Sequence, residues 1–255
     1  NDFLVYDMAQ GDQSNWPQLA QQWCERSTGV GADGLLLLTI IDNTTLGMRL
    51  YNADGSIAEM SGNGIRCLVQ AAHFTMKGLA GTVYDVSTDA GPREAVVTSE
   101  WDDDTIHISV DMGYVEDLDE PHNWSTLQCD PMRPVRHVSL GNPHSVVGVE
   151  EVGEVDLANL GSLVPHINLE IIEPGPESNA ITMRVHERGA GITRACGTGA
   201  CAAADAALAW GLVPQSVEHV IVHMDGGDAR VRISDDRRAT LIGPAVFIGS
   251  ITVHA

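Results

Sequence analysis

The sequence is poor in basic residues, above all in lysine, and it has no long apolar run. It holds 14 lysines and arginines against 35 acidic residues, a formal net charge of −21, and its single lysine is Lys77. Nucleic acids and anionic membranes are bound through clustered basic side chains, so neither is an expected partner. The longest apolar runs, residues 35–38 and 206–210, fall far short of the roughly 20 residues that a membrane span needs. The acidic excess is most simply a solvated surface.

Cysteine is present but forms no recognisable framework. The cysteines are odd in number and irregularly spaced, which is not typical of a disulfide-stabilised secreted protein. No CxxC pair and no Cys/His cluster has the spacing of zinc ligands, so we predict no metal site and a cytoplasmic location. The five cysteines are Cys24, Cys67, Cys129, Cys196 and Cys201.

Two short segments share one pattern, a small nucleophilic residue followed by G-x-G and then by a helix-like stretch. The first is Ser61–Gly64 and the second is Cys196–Gly199. The stretch after Gly199 is almost all alanine and leucine as far as Trp210, so we expect a helix that is buried on most sides. Two such segments predict two similar halves that contribute to one active site.

The rest of the chain reads mainly as β-strands. Apolar and polar residues alternate in several stretches, which predicts sheets with one solvated face. These stretches and further apolar runs lie at 106–112, 181–185, 231–233, Leu46–Tyr51, Val135–Leu140, Ser145–Val149, Val217–His223 and Ile248–His254. One more helix is predicted after residues 14–17, where a cap precedes proline in the first turn. The acidic segment 113–121 is the expected crossover between the halves.

A helix start suits an anion, because its first N–H groups are free and carry a partial positive charge. Glycine lets a ligand approach that backbone closely. The anion is either a bound carboxylate or a thiolate at the first position, and a helix start can lower the pKa of a thiol. This predicts a thiolate at Cys196. The alternative is a small buried residue in a tight turn.

Polar residues near the ends of predicted strands are the other candidates for a site. Glu187 and Arg188 could pair with the ammonium and carboxylate of a zwitterion, or form a surface ion pair. Asn142 could hold a polar ligand and His144 could tune a nearby thiol, although a plain turn explains both. The NADGS segment that begins at Asn52 is first of all a hairpin turn.

Taken together, these motifs closely resemble the diaminopimelate epimerase family. They run in order from the first residue to LIGPA at 241–245: NDF at Asn1, GADG at Gly31, NADGS at Asn52, GNGIR at Gly62, GNPH at Gly141, HERGAG at His186 and ACGTGACA at Ala195. The resemblance implies an α/β (α+β) fold of two pseudo-symmetric halves, each a mainly antiparallel, barrel-like sheet around a central helix. One half is 1–113 with 244–255 and the other is 114–243. It also implies a short segment before Asn1 and a possible homodimer.

The resemblance implies a reaction without pyridoxal phosphate, metal or other cofactor, in which two cysteines exchange the α-proton of the small molecule diaminopimelate. Cys196 matches one of these cysteines, and Ser61 stands at the position of the other. Cys67 matches neither and is expected in the core. Residues implied to bind substrate are Asn1, Asn52, Gly62, Asn63, Asn142, Asn179, Glu187, Arg188, Gly197 and Thr198, while His144 and Glu187 would modulate the thiol pKa.

Ser61 leaves alternatives open, because a hydroxyl is a far weaker acid than a thiol and each pKa unit costs about 1.4 kcal/mol. The serine is a Cys→Ser replacement, natural variation in an active lineage, or a sign of drift to another reaction. The rival functions are a one-base dehydratase or racemase relative and a non-catalytic binder of a zwitterionic amino acid. An intact Cys196 favours catalysis, since a binder needs no thiolate.

Overall fold

The computed structural model describes residues 1–13, 15–102 and 105–253. The chain divides into two compact units, one formed by Asn1–Val110 with Gly243–Ala255 and the other by Asp111–Ile242. From the sequence we predict that the chain passes from one half to the other at 113/114 and at 243/244.

Among its described residues, unit 1 has seven strands, which form a sheet, and two α-helices. In chain order its elements are β1 (Phe3–Asp7), α1 (Trp16–Cys24), β2 (Gly34–Ile40), β3 (Thr45–Asn52), β4 (Ile57–Ala58), α2 (Gly62–Met76), β5 (Val83–Thr88), β6 (Gly91–Asp102) and β7 (Thr105–Tyr114), the last of which runs into unit 2. The strand order is β1-β2-β3-β5-β6-β7, with β4 beside β3. Helix α2 contacts β1, β2, β3 and β6.

Unit 2 repeats this plan with a different helix at its centre. Its elements are β8 (Glu116–Asp117), β9 (Val135–Ser139), β10 (Pro143–Gly148), α3 (Leu157–Leu163), β11 (Asn168–Pro174), β12 (Ala180–Glu187), β13 (Gly191–Thr193), α4 (Gly197–Trp210), β14 (Val220–Met224), β15 (Gly227–Ile233) and β16 (Arg238–Val246), which returns to unit 1. The strand order is β16-β15-β14-β12-β11-β10-β9-β8, with β13 beside β12.

The internal duplication is visible in the strand pairing. In unit 1 the pairs β1–β2 and β3–β5 are parallel, whereas β2–β3, β5–β6 and β6–β7 are antiparallel. In unit 2 the pairs β10–β11 and β12–β14 are parallel, whereas β11–β12, β14–β15 and β15–β16 are antiparallel. A short hairpin partner, β4 or β13, precedes the central helix in each unit. The predicted pair of mainly antiparallel halves is therefore confirmed, although the strand order of the described residues does not close into a barrel.

Helix α4 is the centre of unit 2. Its residues 199–207 are all buried, and it contacts strands β9, β10, β11, β12, β14 and β15. Alanine has the highest helix propensity, and its small side chain lets strands approach closely on every side. Gly211 ends the helix in the left-handed conformation at φ 72°. This confirms the buried helix that the sequence predicted.

Three local expectations need correction. The strand expected over Ile248–His254 is wrong, because β16 ends at Val246 and residues 247–253 form no strand. Gly249 and Ser250 interrupt the alternation of apolar and polar residues there. His254 lies outside the described residues. Helix α1 starts at Trp16 as expected, but the Asn15 side chain makes no capping hydrogen bond, and Ser14 is outside the described residues. Cys67 is half-buried rather than fully buried, and burial raises the pKa of its thiol.

No helix among the described residues is long and apolar enough to cross a membrane. None of the five cysteines, which all lie among the described residues, forms a disulfide bond.

A buried carboxylate ties α4 to the strands around it. Asp205, 5% exposed, pairs with Arg136 Nε at 2.8 Å and with Arg237 Nη2 at 3.0 Å. Both arginines also reach Asp117, which is 68% exposed. Arg237 adopts φ 65°, a left-handed conformation that is uncommon for a side-chain residue. The ion pairs of Asp205 therefore hold the strained turn at Arg237 against helix α4.

We predict that Asp205→Ala lowers the free energy of unfolding by about 3 kcal/mol, because it leaves two guanidinium groups without their buried partner. The exposed Asp117→Ala is the matched control and should cost less than about 1 kcal/mol. Urea unfolding followed by circular dichroism measures both. Equal losses in the two variants would show that burial of Asp205 is not what matters.

Candidate active site

Ser61 caps the central helix of unit 1. Its backbone is extended, at φ −146° and ψ 119°, and its Oγ accepts a hydrogen bond from the Gly64 N–H at 3.0 Å. Gly62 and Asn63 open the helix, so their N–H groups belong to the first turn, where no intrahelical acceptor is available. The side chain of Ser61 is thus fixed at the positive end of α2.

Asn63 and Asn1, both expected at the site, are joined directly. The Asn63 Nδ2 donates to Asn1 Oδ1 at 2.6 Å, and Arg66 Nη2 donates to Asn63 Oδ1 at 2.8 Å. Asn1 Nδ2 in turn donates to Asp33 Oδ2 at 2.9 Å. Arg66 was not foreseen, although an arginine one turn inside an apolar helix signals a partner, because buried guanidinium groups are almost always paired.

Asn52 lies at the same corner of unit 1. It ends β3 opposite Gly34 of β2, and the backbone N–H of Ala53 donates to the Asp33 carbonyl at 3.1 Å. Its Nδ2 donates to Ser56 Oγ at 3.0 Å across the NADGS turn, in which Gly55 takes φ 83°. Asn52 therefore serves the turn that the sequence predicted.

Cys196 caps the central helix of unit 2 in nearly the same conformation as Ser61, at φ −136° and ψ 116°. Its Sγ accepts from the Gly199 N–H at 3.4 Å and contacts Thr198 Oγ1 at 3.6 Å. The side chain is buried, with 5% exposed. The two sister segments thus place a thiol and a hydroxyl at equivalent points of their own units.

The ionisation of Cys196 differs from what the helix start alone predicts. Burial raises the pKa of its thiol well above the ordinary 9.0, and the negative charges of Glu187 and Glu170 raise it further. Hydrogen bonds from Thr198 and from the Gly199 backbone oppose this but are weaker. The expected resting thiolate is therefore corrected to a thiol, because desolvation outweighs the helix end.

His144 and Asn142 belong to one hydrogen-bonded group around Cys196, in which His144 is buried and Asn142 is half-buried. His144 Nε2 bonds Asn142 Oδ1 at 3.0 Å, and Asn142 Nδ2 donates to Thr198 Oγ1 at 3.3 Å. His144 Nδ1 bonds Glu170 Oε1 at 2.6 Å. Glu170 was not foreseen, and its signal is an isolated acidic residue inside the apolar run of β11.

Glu187 and Arg188 sit at the end of β12, and a second unforeseen residue joins them. Glu187 accepts a hydrogen bond from the Thr193 hydroxyl, and the Arg188 side chain is exposed. The Arg188 N–H donates to Asn168 Oδ1 at 2.9 Å. Asn168 also donates to the Pro143 carbonyl at 3.2 Å, which links β11 to the GNPH turn.

Asn179 is not brought to this group. It precedes β12 at the end opposite Glu187, eight residues away along the strand, or roughly 25 Å at 3.3 Å per residue. Its Nδ2 donates to the His219 carbonyl, which gives it a place in the turn before β14. Asn168, not Asn179, is the asparagine beside Arg188.

Unit 1 also contains a cavity of about 480 Å³, away from Ser61. Its lining includes Trp16, Arg49 and Asp89 and none of the site residues above. Among the described residues, no group of three or more His, Cys, Asp or Glu side chains could hold a metal ion.

We predict that Glu187→Gln lowers the pKa of Cys196, because it removes a negative charge that raises it. The ultraviolet absorbance of the thiolate, taken as the difference from the Cys196→Ala protein, measures this in a pH titration. The same subtraction in a Glu187→Gln, Cys196→Ala protein removes the other thiols and the tyrosines. An unchanged midpoint would show that Glu187 does not act on the thiol.

Comparison with known proteins places the chain in a family. The model of the family described as diaminopimelate epimerase matches residues 1–117 and 136–248. A diaminopimelate epimerase of Magnetococcus marinus is 37% identical over 270 residues, which cover 98% of this chain and 93% of the relative. One of Synechococcus elongatus is 36% identical over 278 residues, which cover 100% of this chain and 96% of the relative.

Solved structures agree on the fold. A predicted epimerase from Pseudomonas aeruginosa superposes with a TM-score of 0.72 at 14% identity, covering 97% of this chain and 93% of the other. A probable proline racemase from Agrobacterium radiobacter K84 gives a TM-score of 0.64 at 17% identity, covering 93% and 81%. At such identities these neighbours show the fold alone. The sequence comparisons show more: this chain belongs to the diaminopimelate epimerase family.

Proposed function

We propose that this protein interconverts LL- and meso-diaminopimelate by removing and returning the α-proton, a step that supplies precursors of lysine and peptidoglycan. Family membership over nearly the whole chain supports the reaction. The observation that carries it is a buried thiol, Cys196, held at the N-terminus of a central helix by the Gly199 amide. That position offers a proton-transfer group beside N–H donors for a carboxylate.

The α-carboxylate is bound by the free N–H groups of the first helical turns. Those of Gly197 and Thr198 adjoin Cys196, and those of Gly62 and Asn63 adjoin Ser61. As the proton leaves, negative charge spreads from the α-carbon into this carboxylate. Preorganised N–H groups and helix dipoles then stabilise the transition state more than the ground state.

The remaining polar residues recognise the zwitterion. Glu187 accepts from an ammonium group, and the exposed guanidinium of Arg188 pairs with a carboxylate. The amides that read the distal amino-acid end are those of Asn1, Asn52, Asn142 and Asn168, the last in place of Asn179.

Cys196 is the principal proton-transfer group, and Ser61 is the weak one. Because the resting Cys196 is a thiol, it must first give its proton to solvent water before it acts as a base, and the positive charge of the bound ammonium favours this loss. The Ser61 hydroxyl is fixed by Gly64 and passes a proton only through water. Proton exchange at the Cys196 side is therefore faster than complete inversion.

We propose a cytoplasmic enzyme, because five cysteines that form no disulfide bond suit a reducing compartment. A homodimer is also proposed, and exposed apolar side chains near the end of unit 1, including Ile248 at 90% exposure, support it. Sedimentation of the purified chain measures this directly.

We predict that Ser61→Cys raises the rate of inversion by about 100-fold or more, because a thiol donates and accepts the α-proton far better than a hydroxyl. Inversion of LL- and meso-diaminopimelate in heavy water, followed by chiral chromatography and mass spectrometry, measures it. Cys67→Ser is the matched control and should leave both inversion and α-deuterium incorporation unchanged.

The Cys196→Ala protein completes this experiment and should lose both inversion and deuterium incorporation. No gain in Ser61→Cys would mean that Ser61 is not the second proton-transfer position. Incorporation that never leads to inversion, even in Ser61→Cys, would indicate one-base chemistry. Measurable binding with neither reaction in any variant would leave the non-catalytic binder.

A further inference from the structure

We propose that Glu170 positions His144 so that a chain of hydrogen bonds through Asn142 and Thr198 ends in donation to the sulfur of Cys196. Glu170 would be a positioning residue, since it acts through His144 and not on the substrate. The inference builds on the proposed function only in its kinetic readout. The arrangement lies entirely within unit 2.

Glu170 is sealed inside unit 2. Its side chain and that of His144 are both fully buried, and the contact between Oε1 and Nδ1 is short at 2.6 Å. Strands β10 and β11 pair in parallel, with His144 opposite Asn168 and Val146 opposite Glu170, which brings the two side chains to neighbouring positions. A buried carboxylate is costly unless paired, so its retention in an apolar strand needs a reason.

The second carboxylate oxygen of Glu170, Oε2, makes no contact within the described part of the chain that would explain a buried charge at this position. Glu170 Oε2 is buried and has no hydrogen-bond partner among the described residues. An apolar residue at this point would avoid that cost. The benefit of the carboxylate must therefore come through Oε1 and His144.

The donors and acceptors fix the direction of the chain. Both nitrogens of His144 face oxygen acceptors, Glu170 Oε1 and Asn142 Oδ1, so the bonding is satisfied when both nitrogens carry a proton. Asn142 then presents its NH₂ group to Thr198 Oγ1. Because Thr198 accepts there, its own hydroxyl proton is free to point at Cys196 Sγ, 3.6 Å away.

The last bond of this chain favours the thiolate. Donation from Thr198 lowers the pKa of Cys196, against the effects of burial and of Glu187 on β12 and Glu170 on β11. His144 on β10 is the remaining titratable group in this network. Glu170 thus has two opposite effects on the thiol, a direct charge effect and an effect through the chain. A shift of the thiol pKa alone would not separate them.

Glu170 also lies against the turn that holds Cys196. A Cβ atom added at Gly199 would stand 2.8 Å from Glu170 Oε1 and 3.2 Å from Cys196 Sγ. The absence of a side chain at position 199 is what allows the carboxylate and the sulfur to share this turn.

Replacing Glu170 by glutamine should reverse the direction of the hydrogen bonds that run from His144 through Asn142 to Thr198. A neutral His144 that donates from Nδ1 to the glutamine carbonyl has a bare Nε2, which needs a donor. Asn142 would then turn its NH₂ group toward His144 and its oxygen toward Thr198. The Thr198 hydroxyl would donate to Asn142 and no longer to Cys196.

The test compares Glu170→Gln, Thr198→Val and the double variant. Each single variant should slow α-deuterium incorporation into diaminopimelate by about tenfold, the value of one hydrogen bond to a charged group, with little change in KM. The double variant should be no slower than either single one, since both remove the same final bond. Glu173→Gln, the same change on the same strand at a carboxylate that binds the Val152 N–H, is the control and should react normally.

Nitrogen NMR of histidine-labelled protein gives a readout that is independent of turnover. His144, assigned by its loss in His144→Gln, should carry protons on both nitrogens in the starting protein and only on Nδ1 in Glu170→Gln. Thermal melting checks that each variant is folded. The proposal is overturned if Nε2 of His144 stays protonated in Glu170→Gln. It is also overturned if the double variant slows deuterium incorporation by the product of the two single-variant losses. If the unmodified protein incorporates no deuterium at all, the proposed function is contradicted. The NMR result would still decide the role of Glu170.

Discussion

The hydrogen bond from a first-turn amide to the residue that caps its helix is the constraint on which the site depends. In each unit that bond fixes a small side chain, Ser61 or Cys196, at the positive end of a central helix. It also leaves the neighbouring N–H groups free for a carboxylate. The sheets of both units repeat the same pairing scheme, and this scheme delivers the two capping residues to equivalent positions.

Burial then decides how the thiol behaves. A helix end alone would favour a thiolate. Burial of Cys196 and the charges of two nearby carboxylates instead raise the pKa of its thiol. In the proposed reaction, a substrate ammonium beside Glu187 would reverse part of that balance on binding, so that the base would form when the substrate is present. In our proposal, the hydrogen-bonded group of Glu170, His144, Asn142 and Thr198 gives the sulfur a donor that a desolvated thiolate needs.

Much of the architecture could be predicted from local patterns, whereas the ionisation could not. The alanine run after Gly199 requires a buried helix, and the alternation over 181–185 requires a strand with one solvated face. Asn168 and Glu170 reach the site only through the pairing of β10 with β11, which no local pattern reveals. The strand expected after Val246 does not form, because Gly249 and Ser250 interrupt its apolar pattern. The roles of the individual residues stay predictions.

The measurement that tests the central claim most directly is the ratio of α-deuterium incorporation to inversion in the unmodified protein, taken at early times from each isomer of diaminopimelate. The account predicts that incorporation runs ahead of inversion from the isomer whose α-proton faces Cys196, because Cys196 exchanges its proton readily and Ser61 does not. Inversion that keeps pace with incorporation from both isomers would contradict it, since it would require a second proton-transfer group as effective as the thiol.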